Sequence, residues 1–328
     1  MKETVKDQVG VLLTSAGRRV ELLECFRTAA RGLGIDLRVF ACDLAPDLSA
    51  ACARADGAYA VPRCDDPSYV DVVLAIAAET GARLVVPTID PELAPLAEAA
   101  EDFAQIGARV HVSDPETISV VRDKARTAEV LSAAGVPVPC THALEALRAK
   151  PDLLSWPVFL KPSGGSASRG LAVINHPGDL PDHTDEPMIA QDCLGGPEYT
   201  INMFVDSHGK LRTVIPHIRL SIRAGEVEKG RTERRADLKA IAEGIAAALP
   251  GLRGVSCFQV IDDPEHGPKV LEINARFGGG YPLADAAGAT FARWLLEEVT
   301  IGTSAAHDNW TDGVEMLRYD AAVFRGLS

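Results

Sequence analysis

The segment FLKPSGGSASRG, at residues 159–170, places a lysine before a loop of glycine and serine. Glycine-rich loops often bind phosphate groups, but a P-loop has its lysine after the glycines, whereas Lys161 precedes them. The residues LAVIN that follow Gly170 predict another strand, so the loop has no helix start to offer an anion. We expect either a phosphate-binding flap, with Lys161 and Arg169 as its cations, or an ordinary polar hairpin loop.

The segment VLEINARF, at residues 270–277, has polar residues at every second position. On a strand, Glu272, Asn274 and Arg276 would project from one face. Glutamate and asparagine oxygens are suitable ligands for Mg²⁺, and an arginine beside them could stabilise a transferring phosphoryl group. The residues around them are apolar, namely Val270, Leu271, Ile273 and Phe277. They indicate a buried strand, which disfavours the alternative of a solvent-facing polar stripe.

Two arginines lie four residues apart in IRLSIRAGEVEKG, at residues 218–230. If this run is a strand, Arg219 and Arg223 face one side. An arginine can bind a carboxylate through two parallel hydrogen bonds, so we predict that both contact a substrate carboxylate. An exposed β-ribbon is the alternative.

Composition excludes several classes of function. The chain has 328 residues, which suggests two or three packed units, and a net charge of −13, which disfavours a nucleic-acid partner. No apolar run reaches the roughly 18 residues of a membrane span, and the first residues do not resemble a secretory signal. Seven dispersed cysteines without a C-x-x-C pair predict reduced thiols in a cytoplasmic protein and no zinc site.

The first third of the chain alternates predicted strands, at 9–15, 37–44, 83–88 and 108–113, with helical patterns. This alternation predicts an α/β domain with an open parallel sheet. Ligands of such sheets bind at the carboxyl ends of the strands, where TSAGRR and PTIDPEL follow two of them. Arg18, Arg19, Asp90 and Glu92 are therefore candidates for substrate contact, with capping or surface charge as the alternative. The dinucleotide pattern G-x-G-x-x-G is missing from TSAGRR, so a dehydrogenase is disfavoured.

The character of the chain changes beyond this domain. Ser113 and Glu116 form a capping pattern that predicts a helix running to Gly135. After residue 139 short predicted strands follow one another with few helices between them, which is typical of antiparallel sheets. The sequence therefore predicts an α/β unit followed by an α+β unit.

Four motifs occur in a fixed order: RDKARTAEVLSAAGVPVP, FLKPSGGSASRG, IAQDCLGGPEYTINMF and FQVIDDPEHGPKVLEINARFGGG. Together they resemble the ATP-grasp superfamily, especially members related to the carbamoyl-phosphate synthase large subunit, over essentially the whole chain. The resemblance implies an α/β pre-ATP-grasp domain with a parallel sheet at 1–113. It also implies α+β ATP-grasp domains with antiparallel sheets, divided into a linker helix and lid subdomain at 114–195 and a C-terminal subdomain at 196–328.

The resemblance implies an ATP site. Lys124 and Lys161 would contact phosphate oxygens, and the loop at 164–170 would fold over the β- and γ-phosphates. The backbone of QDCL would pair with the adenine edge, and Glu198 would accept from the ribose hydroxyls. Relatives often carry glutamate where this chain has Gln191. The implied nucleotide-binding residues are Lys124, Lys161, Ser163, Gly164, Gly165, Ser166, Arg169, Gly170, Gln191, Cys193, Leu194 and Glu198.

The resemblance also implies a metal and a reaction. Gln259, Glu272 and Asn274 would hold Mg²⁺, with Mn²⁺ as an alternative, although many relatives have an acid at the position of Gln259. The predicted catalytic residues are Arg276, Lys161 and Arg219. The predicted substrate contacts are Arg219, Arg223, Arg276, Gly278, Gly279, Gly280, Asp90 and Glu92.

The leading functional hypothesis is an ATP-dependent ligase that activates a small carboxylic acid, such as an amino acid, as an acylphosphate and couples it to an amine. Its partners would be these small molecules, without nucleic acid or membrane. Similar proteins are often dimers, so a homodimer is an open alternative. Two other hypotheses are a carbamate- or carboxyphosphate-forming step and a nucleotide-binding module without catalysis.

Overall fold

A computed structural model describes residues 8–165 and 170–326, and it organises them around three β-sheets. The first sheet has five strands, the second has four and the third has six. Ser166 and Arg169, both predicted to bind nucleotide, lie outside the described residues. Within the two described ranges no helix has the length and apolar character needed to cross a membrane.

The N-terminal unit is an α/β domain, as predicted. Its strands are β1 (Gln8–Thr14), β2 (Asp36–Asp43), β3 (Gly57–Ala60), β4 (Ala82–Pro87) and β5 (Arg109–Val110). They pair in parallel in the order β3-β2-β1-β4-β5, so β1 and β4 are neighbours at the centre. Its helices are α1 (Val20–Leu33), α2 (Ala50–Arg54), α3 (Tyr69–Thr80), α4 (Leu93–Glu98) and α5 (Ala100–Gln105). The carboxyl ends of β1 and β4 therefore bring TSAGRR and PTIDPEL together.

The helix predicted from residue 113 to Gly135 is two helices, α6 (Pro115–Arg122) and α7 (Lys124–Ala133). Its predicted cap is also wrong, because Asp114, not Ser113, accepts the N–H of Thr117 over 2.7 Å. The break lies at Asp123, which has extended backbone angles. Its carboxylate accepts the N–H groups of the first turn of α7 and so caps a new helix. Lys124 thereby becomes the first residue of α7.

The second sheet carries the loop with which the sequence analysis began. Its strands are β6 (Thr141–Ala143), β7 (Val158–Pro162), β8 (Ala172–Ile174) and β9 (Met188–Asp192), in the order β6-β9-β7-β8, and helix α8 (Leu144–Ala149) packs on it. β7 and β8 pair antiparallel on either side of the loop. The predicted strands before and after the loop are confirmed.

The third sheet is antiparallel throughout, as predicted. Its strands are β10 (Glu198–Val205), β11 (Leu211–Arg223), β12 (Glu226–Thr232), β13 (Gly254–Asp263), β14 (Gly267–Asn274) and β15 (Glu315–Leu317), in the order β14-β13-β10-β11-β12-β15. The helices of this part are α9 (Ala236–Ala248), α10 (Tyr281–Ala286) and α11 (Phe291–Ile301). Short 3₁₀ turns in the earlier parts of the chain span Pro46–Leu48, Asp90–Glu92, Pro151–Leu153 and Pro177–Asp179.

The two faces of the third sheet differ. Every second residue of β10 from Tyr199 to Val205, together with Phe258 and Val260 of β13, is buried against α6 and α9 in one apolar cluster. The alternate residues form the other face, which includes Thr200 opposite Gln259 and Gln259 opposite Glu272. Directly opposed residues of antiparallel strands share a face, so these polar side chains lie together.

A second apolar cluster joins the third sheet to the N-terminal domain. Phe277, Phe291 and Trp294 are buried with Leu23 and Phe26 of α1. Aromatic side chains of this size bury a large apolar area and dominate such contacts. This packing brings the glycines that follow Arg276 beside the turn between β1 and α1.

Candidate active site

Lys161 is the next-to-last residue of strand β7 and is buried, with 6% of its surface exposed. Its Nζ donates to the carbonyl oxygen of Leu271 on β14 over 3.4 Å, which is a long hydrogen bond. The pKa of Lys161 is lowered to about 8, chiefly by burial. The negative charge of Glu272 opposes this decrease, and the positive charge of Lys124 adds to it. A cation that is buried, weakly bonded and close to a second cation favours an anionic ligand.

Lys124 approaches the same region from helix α7. Its Nζ donates to the carbonyl oxygens of Gly164, over 3.2 Å, and Gly165, over 3.0 Å, at the start of the glycine-rich loop. Burial lowers the pKa of Lys124, against the opposing effect of Glu272. The ammonium group is thus held by neutral carbonyl groups, which a phosphate could replace.

Asp123 fixes the start of the loop to helix α7. Its Oδ1 accepts a hydrogen bond of 2.5 Å from the hydroxyl of Ser163, and the N–H of Lys124 donates to the carbonyl oxygen of Ser163 over 2.9 Å. Sequence reasoning did not select Asp123. The signal that could have found it is an acid at a helix start, but a polar residue inside a helical pattern does not stand out.

The predicted metal ligands face one another across two strands. Glu272 on β14 lies directly opposite Gln259 on β13, and Asn274 Nδ2 donates to Glu272 Oε1 over 3.2 Å. One carboxylate with amide oxygens is a donor set that suits Mg²⁺, which retains waters and takes phosphate oxygens as further ligands. Among the described residues, no three histidine, cysteine or acidic side chains form a metal-binding group of their own.

Arg276 lies in the bend after β14, because the strand ends at Asn274 rather than continuing as predicted. It still joins the other residues, since its Nη2 donates to Asn274 Oδ1 over 3.0 Å and to Asp90 Oδ2 over 2.7 Å. Burial alone would lower the pKa of Arg276, but Asp90, with Cys257 and Glu272, raises it. Asp90, Lys124, Glu272 and Asn274 line one small cavity.

Glu92 does not contact substrate as predicted. Its residue is 0% exposed, so no ligand can reach it. Its two carboxylate oxygens accept four hydrogen bonds of 2.6 to 3.0 Å, from the N–H groups of Thr88 and Ile89 and the hydroxyls of Tyr69 and Ser15. Burial raises the pKa of this carboxyl. Glu92 instead holds the segment that positions Asp90.

Arg219 lies against Glu198, the predicted ribose acceptor. Its Nη1 donates to Glu198 Oε1, and its Nη2 donates to the carbonyl oxygen of Gly225 over 2.7 Å. Burial raises the pKa of Glu198, against the opposing charge of Arg219. Arg219 therefore reaches the predicted nucleotide side of the site, where it orients a carboxylate.

Arg223 points elsewhere. Its side chain is 57% exposed and pairs with Asp320 over 2.7 Å and with Glu228 over 3.5 Å. The pairing of β11 with β12 shifts register twice between Arg219 and Ile222, so simple alternation fails here. Arg219 and Arg223 thus have different partners and different exposure in the structure, and their contact with a substrate carboxylate stays a prediction.

The segment predicted to meet adenine follows strand β9. Gln191 is buried, and its Nε2 donates to Thr141 Oγ1 over 2.8 Å on the neighbouring strand. Cys193 is exposed and Leu194 half-buried. Gly196 ends the segment with a φ of +110°, and a Cβ there would lie 2.3 Å from the carbonyl oxygen of Asp262. Only glycine fits, so the direction of this segment into β10 is fixed.

A large cleft of about 1150 Å³ adjoins the small cavity. Thr88 and Ile89 line the cleft and the next residue, Asp90, lines the small cavity. The predicted substrate residues Gly278 and Gly279 form part of its wall, and a Cβ on Gly279 would lie 2.5 Å from the carboxylate carbon of Glu226. Glu226 and Arg318, which also line the cleft, were missed by sequence reasoning because no local pattern marks them.

Two family models match this chain. Residues 11–111 match the PylC-like N-terminal domain, and residues 184–321 match the family described as ATP-grasp in the biosynthetic pathway with Ter operon. The carbamoyl phosphate synthase large chain of Beutenbergia cavernae is 27% identical over 232 residues, which cover 59% of this chain and 20% of that protein. The chain spans only 16 to 26% of the length of the curated relatives it matches first.

Solved structures share the fold at low identity. The biotin carboxylase domain of Hydrogenobacter thermophilus 2-oxoglutarate carboxylase has a TM-score of 0.73 at 18% identity, covering 92% of this chain and 72% of that one. N5-carboxyaminoimidazole ribonucleotide synthetase has a TM-score of 0.71 at 15% identity, covering 94% and 81%. The family matches identify an ATP-grasp region at 184–321 and a PylC-like N-terminal domain at 11–111, and the solved structures show that the fold is shared with ATP-dependent carboxylases and synthetases.

Proposed function

We propose that this protein is an ATP-dependent ligase that activates a small carboxylic acid as an acylphosphate and joins it to an amine. The observation that carries the proposal is the convergence of Lys124, Lys161, Glu272 and Arg276, from three separate segments, beside a cleft large enough for small-molecule substrates. A chain with a net charge of −13 needs such local cations to hold a triphosphate.

The nucleotide would lie between the second and third sheets. Lys124 and Lys161 would exchange their carbonyl partners for phosphate oxygens, which are stronger acceptors. Glu198, oriented by Arg219, would accept from the ribose. Supporting this placement, the similar biotin carboxylase domain was solved with MgADP and the synthetase with ADP.

The similar biotin carboxylase domain is also described as a dimer. We expect a homodimer for this protein too, and analytical ultracentrifugation would test it.

Glu272 and Asn274 would hold Mg²⁺, with Gln259 beside them, and the ion would neutralise charge on the phosphates. Arg276 would stabilise the negative charge that develops on the transferring phosphoryl group. Its bond to Asp90 fixes the guanidinium in place before substrate arrives. The protein's part in the reaction is therefore positioning and electrostatic stabilisation.

The chemistry has two steps. A carboxylate oxygen of the acid attacks the γ-phosphorus of ATP, the bond from that phosphorus to the β–γ bridging oxygen breaks, and ADP leaves. The amine nitrogen then attacks the acyl carbon, the bond from carbon to the phosphate oxygen breaks, and phosphate leaves while the nitrogen loses a proton. No side-chain nucleophile is needed, which agrees with Cys257, beside Asn274, whose pKa burial raises to about 11.

Bicarbonate is a second candidate for the acid. The similar biotin carboxylase domain was solved with bicarbonate bound, and the similar synthetase is named for a carboxyamino product. The acylphosphate would then be carboxyphosphate, and the same residues would serve. An amine acceptor would receive the carboxyl group.

The test is ADP and phosphate release from ATP and Mg²⁺ with carboxylic acids, amino acids, amines and bicarbonate, singly and in pairs. We expect turnover only when an acid and an amine are both present. Turnover that requires bicarbonate selects the second candidate. Lys161→Ala should lose turnover with every pair, and ATP binding without turnover on any pair would identify a non-catalytic nucleotide-binding module instead.

A further inference from the structure

Three arginines surround one carboxylate in the large cleft. Glu226 on β12 lies 3.0 Å from Arg318, 3.4 Å from Arg19 and 3.8 Å from Arg18, measured between nitrogen and carboxylate oxygen. The arginines come from two distant parts of the chain, the turn between β1 and α1 and the segment after β15. Three guanidinium groups around one carboxylate leave two positive charges in excess.

Arg223, directly opposite Glu226 across strands β11 and β12, belongs to a group in the same cleft with the opposite balance of charge. There Arg223 is shared by two carboxylates, Glu228 and Asp320. Such pairing is what an acidic protein is expected to show, since its acids outnumber its bases by 46 to 33. The excess of arginines around Glu226 is therefore local and is not explained by overall composition.

Arg18 is 76% exposed, but the rest of the cluster is partly desolvated and held in place. The side chains of Arg19, Arg318 and Glu226 are each less than a third exposed, and Arg318 Nη2 donates to the carbonyl oxygen of Gly279 over 2.6 Å. Burial lowers the pKa of Arg19. The negative charge of Glu226 raises that pKa, whereas the positive charges of Arg276 and Arg318 lower it further. Guanidinium groups that are positioned in advance bind planar or tetrahedral oxyanions well.

We propose that Arg18, Arg19 and Arg318 form a subsite for a dianionic group of a substrate, either a phosphate monoester or a dicarboxylate. The inference rests on the proposed ligase function and narrows its substrate class. One substrate would carry, besides its reacting group, an anionic group that binds here and displaces Glu226. Residues 88 and 89 line the large cleft and the next residue, Asp90, lines the small cavity, and the charge of Arg276 acts on Arg19, so the two sites are neighbours.

The test is a calorimetric titration of inorganic phosphate, and separately of succinate, into the full chain and its variants. Arg318→Gln and Arg19→Gln should each weaken binding about tenfold, the effect of losing one hydrogen bond to a charged group. Glu226→Gln should tighten binding about tenfold, because it removes the competing carboxylate. Arg231→Gln is the matched control, since Arg231 lies on the same strand but pairs with Glu233 and Glu315, and it should change nothing.

If Glu226→Gln binds phosphate more tightly but not succinate, the substrate group is a phosphate monoester. If it binds succinate more tightly but not phosphate, the substrate group is a dicarboxylate. Affinities that are the same in Glu226→Gln, Arg318→Gln and the parent would overturn the proposal, as would binding of neither anion. Phosphate that binds at the lysines instead would be insensitive to all these variants. An ADP titration of the same proteins distinguishes failure of the arginine subsite from failure of the proposed ligase function, because ADP binding depends on Lys161 and not on Glu226.

Discussion

Arg276 donates a hydrogen bond of 2.7 Å to Asp90, and this pair joins the third sheet to the N-terminal domain beside the reacting groups. Both side chains are largely buried, and Arg276 also holds Asn274 over 3.0 Å. A buried ion pair contributes little net stability over apolar residues, but it fixes geometry. We infer that the pair sets the distance between the metal ligands and the substrate cleft.

Removal of the Asp90 side chain should therefore destabilise the folded protein. Asp90→Ala leaves a buried guanidinium without its charge partner and should lower the free energy of unfolding by about 3 kcal/mol, measured by urea denaturation. Asp320→Ala is the matched control, because it removes the partner of the exposed Arg223 and should cost less than about 0.5 kcal/mol. Equal losses in the two variants would show that Asp90 is not a buried partner.

The affinity for ATP should depend on pH through Lys161. Its pKa is about 8 in the free protein, lowered from the ordinary value, and bound phosphate would raise it because it stabilises the charged form. The dissociation constant for ATP should therefore be flat below pH 8 and rise above it, by up to about tenfold per pH unit. In Lys161→Arg, which stays charged, this rise should vanish. A rise of the same size in that variant would assign it to another group.

The metal requirement should follow the charge at the strand pair Gln259 and Glu272. Glu272→Gln removes the carboxylate of the donor set and should raise the Mg²⁺ concentration needed for half-maximal ADP binding about tenfold or more. Gln259→Glu adds a carboxylate directly opposite and should lower that concentration. A Mg²⁺ requirement unchanged in both variants would place the metal elsewhere.

Arg219 should act on the nucleotide rather than on the acid. Arg219→Met leaves the half-buried Glu198 without its partner, which should raise the KM for ATP severalfold and leave the KM for the acid unchanged. The opposite result, a higher KM for the acid alone, would restore the role that the sequence suggested. Circular dichroism of the variant checks that it is folded.

Much of the fold and part of the site were predictable because their signals are local. Strands that alternate with amphipathic helices can only build a parallel sheet, and the alternation in VLEINARF correctly predicted a strand with Glu272 and Asn274 on one face. Lys161 was identifiable because it ends an apolar run before a glycine-rich loop. These features depend on spacings of a few residues.

The remaining features depend on distant contacts. Arg219 meets Glu198 because the antiparallel pairing of β10 with β11, which sets Tyr199 opposite Ile218, brings the next residues of the two strands together, and no periodicity indicates that register. The sequence suggests that Glu92 is an exposed acid after a strand. In the fold it is buried, and it accepts hydrogen bonds from Tyr69 and Thr88. Arg318 reaches Glu226 from the segment after β15, 92 residues along the chain. Pairings of this kind are set by topology and not by local pattern.

The most direct test of acylphosphate formation uses a carboxylic acid labelled with ¹⁸O in both carboxylate oxygens, with the amine that the turnover screen identifies. We predict that each turnover transfers one ¹⁸O from the acid to inorganic phosphate, because the oxygen that attacks the γ-phosphorus leaves with it. Label in AMP, or turnover with unlabelled phosphate, would contradict it.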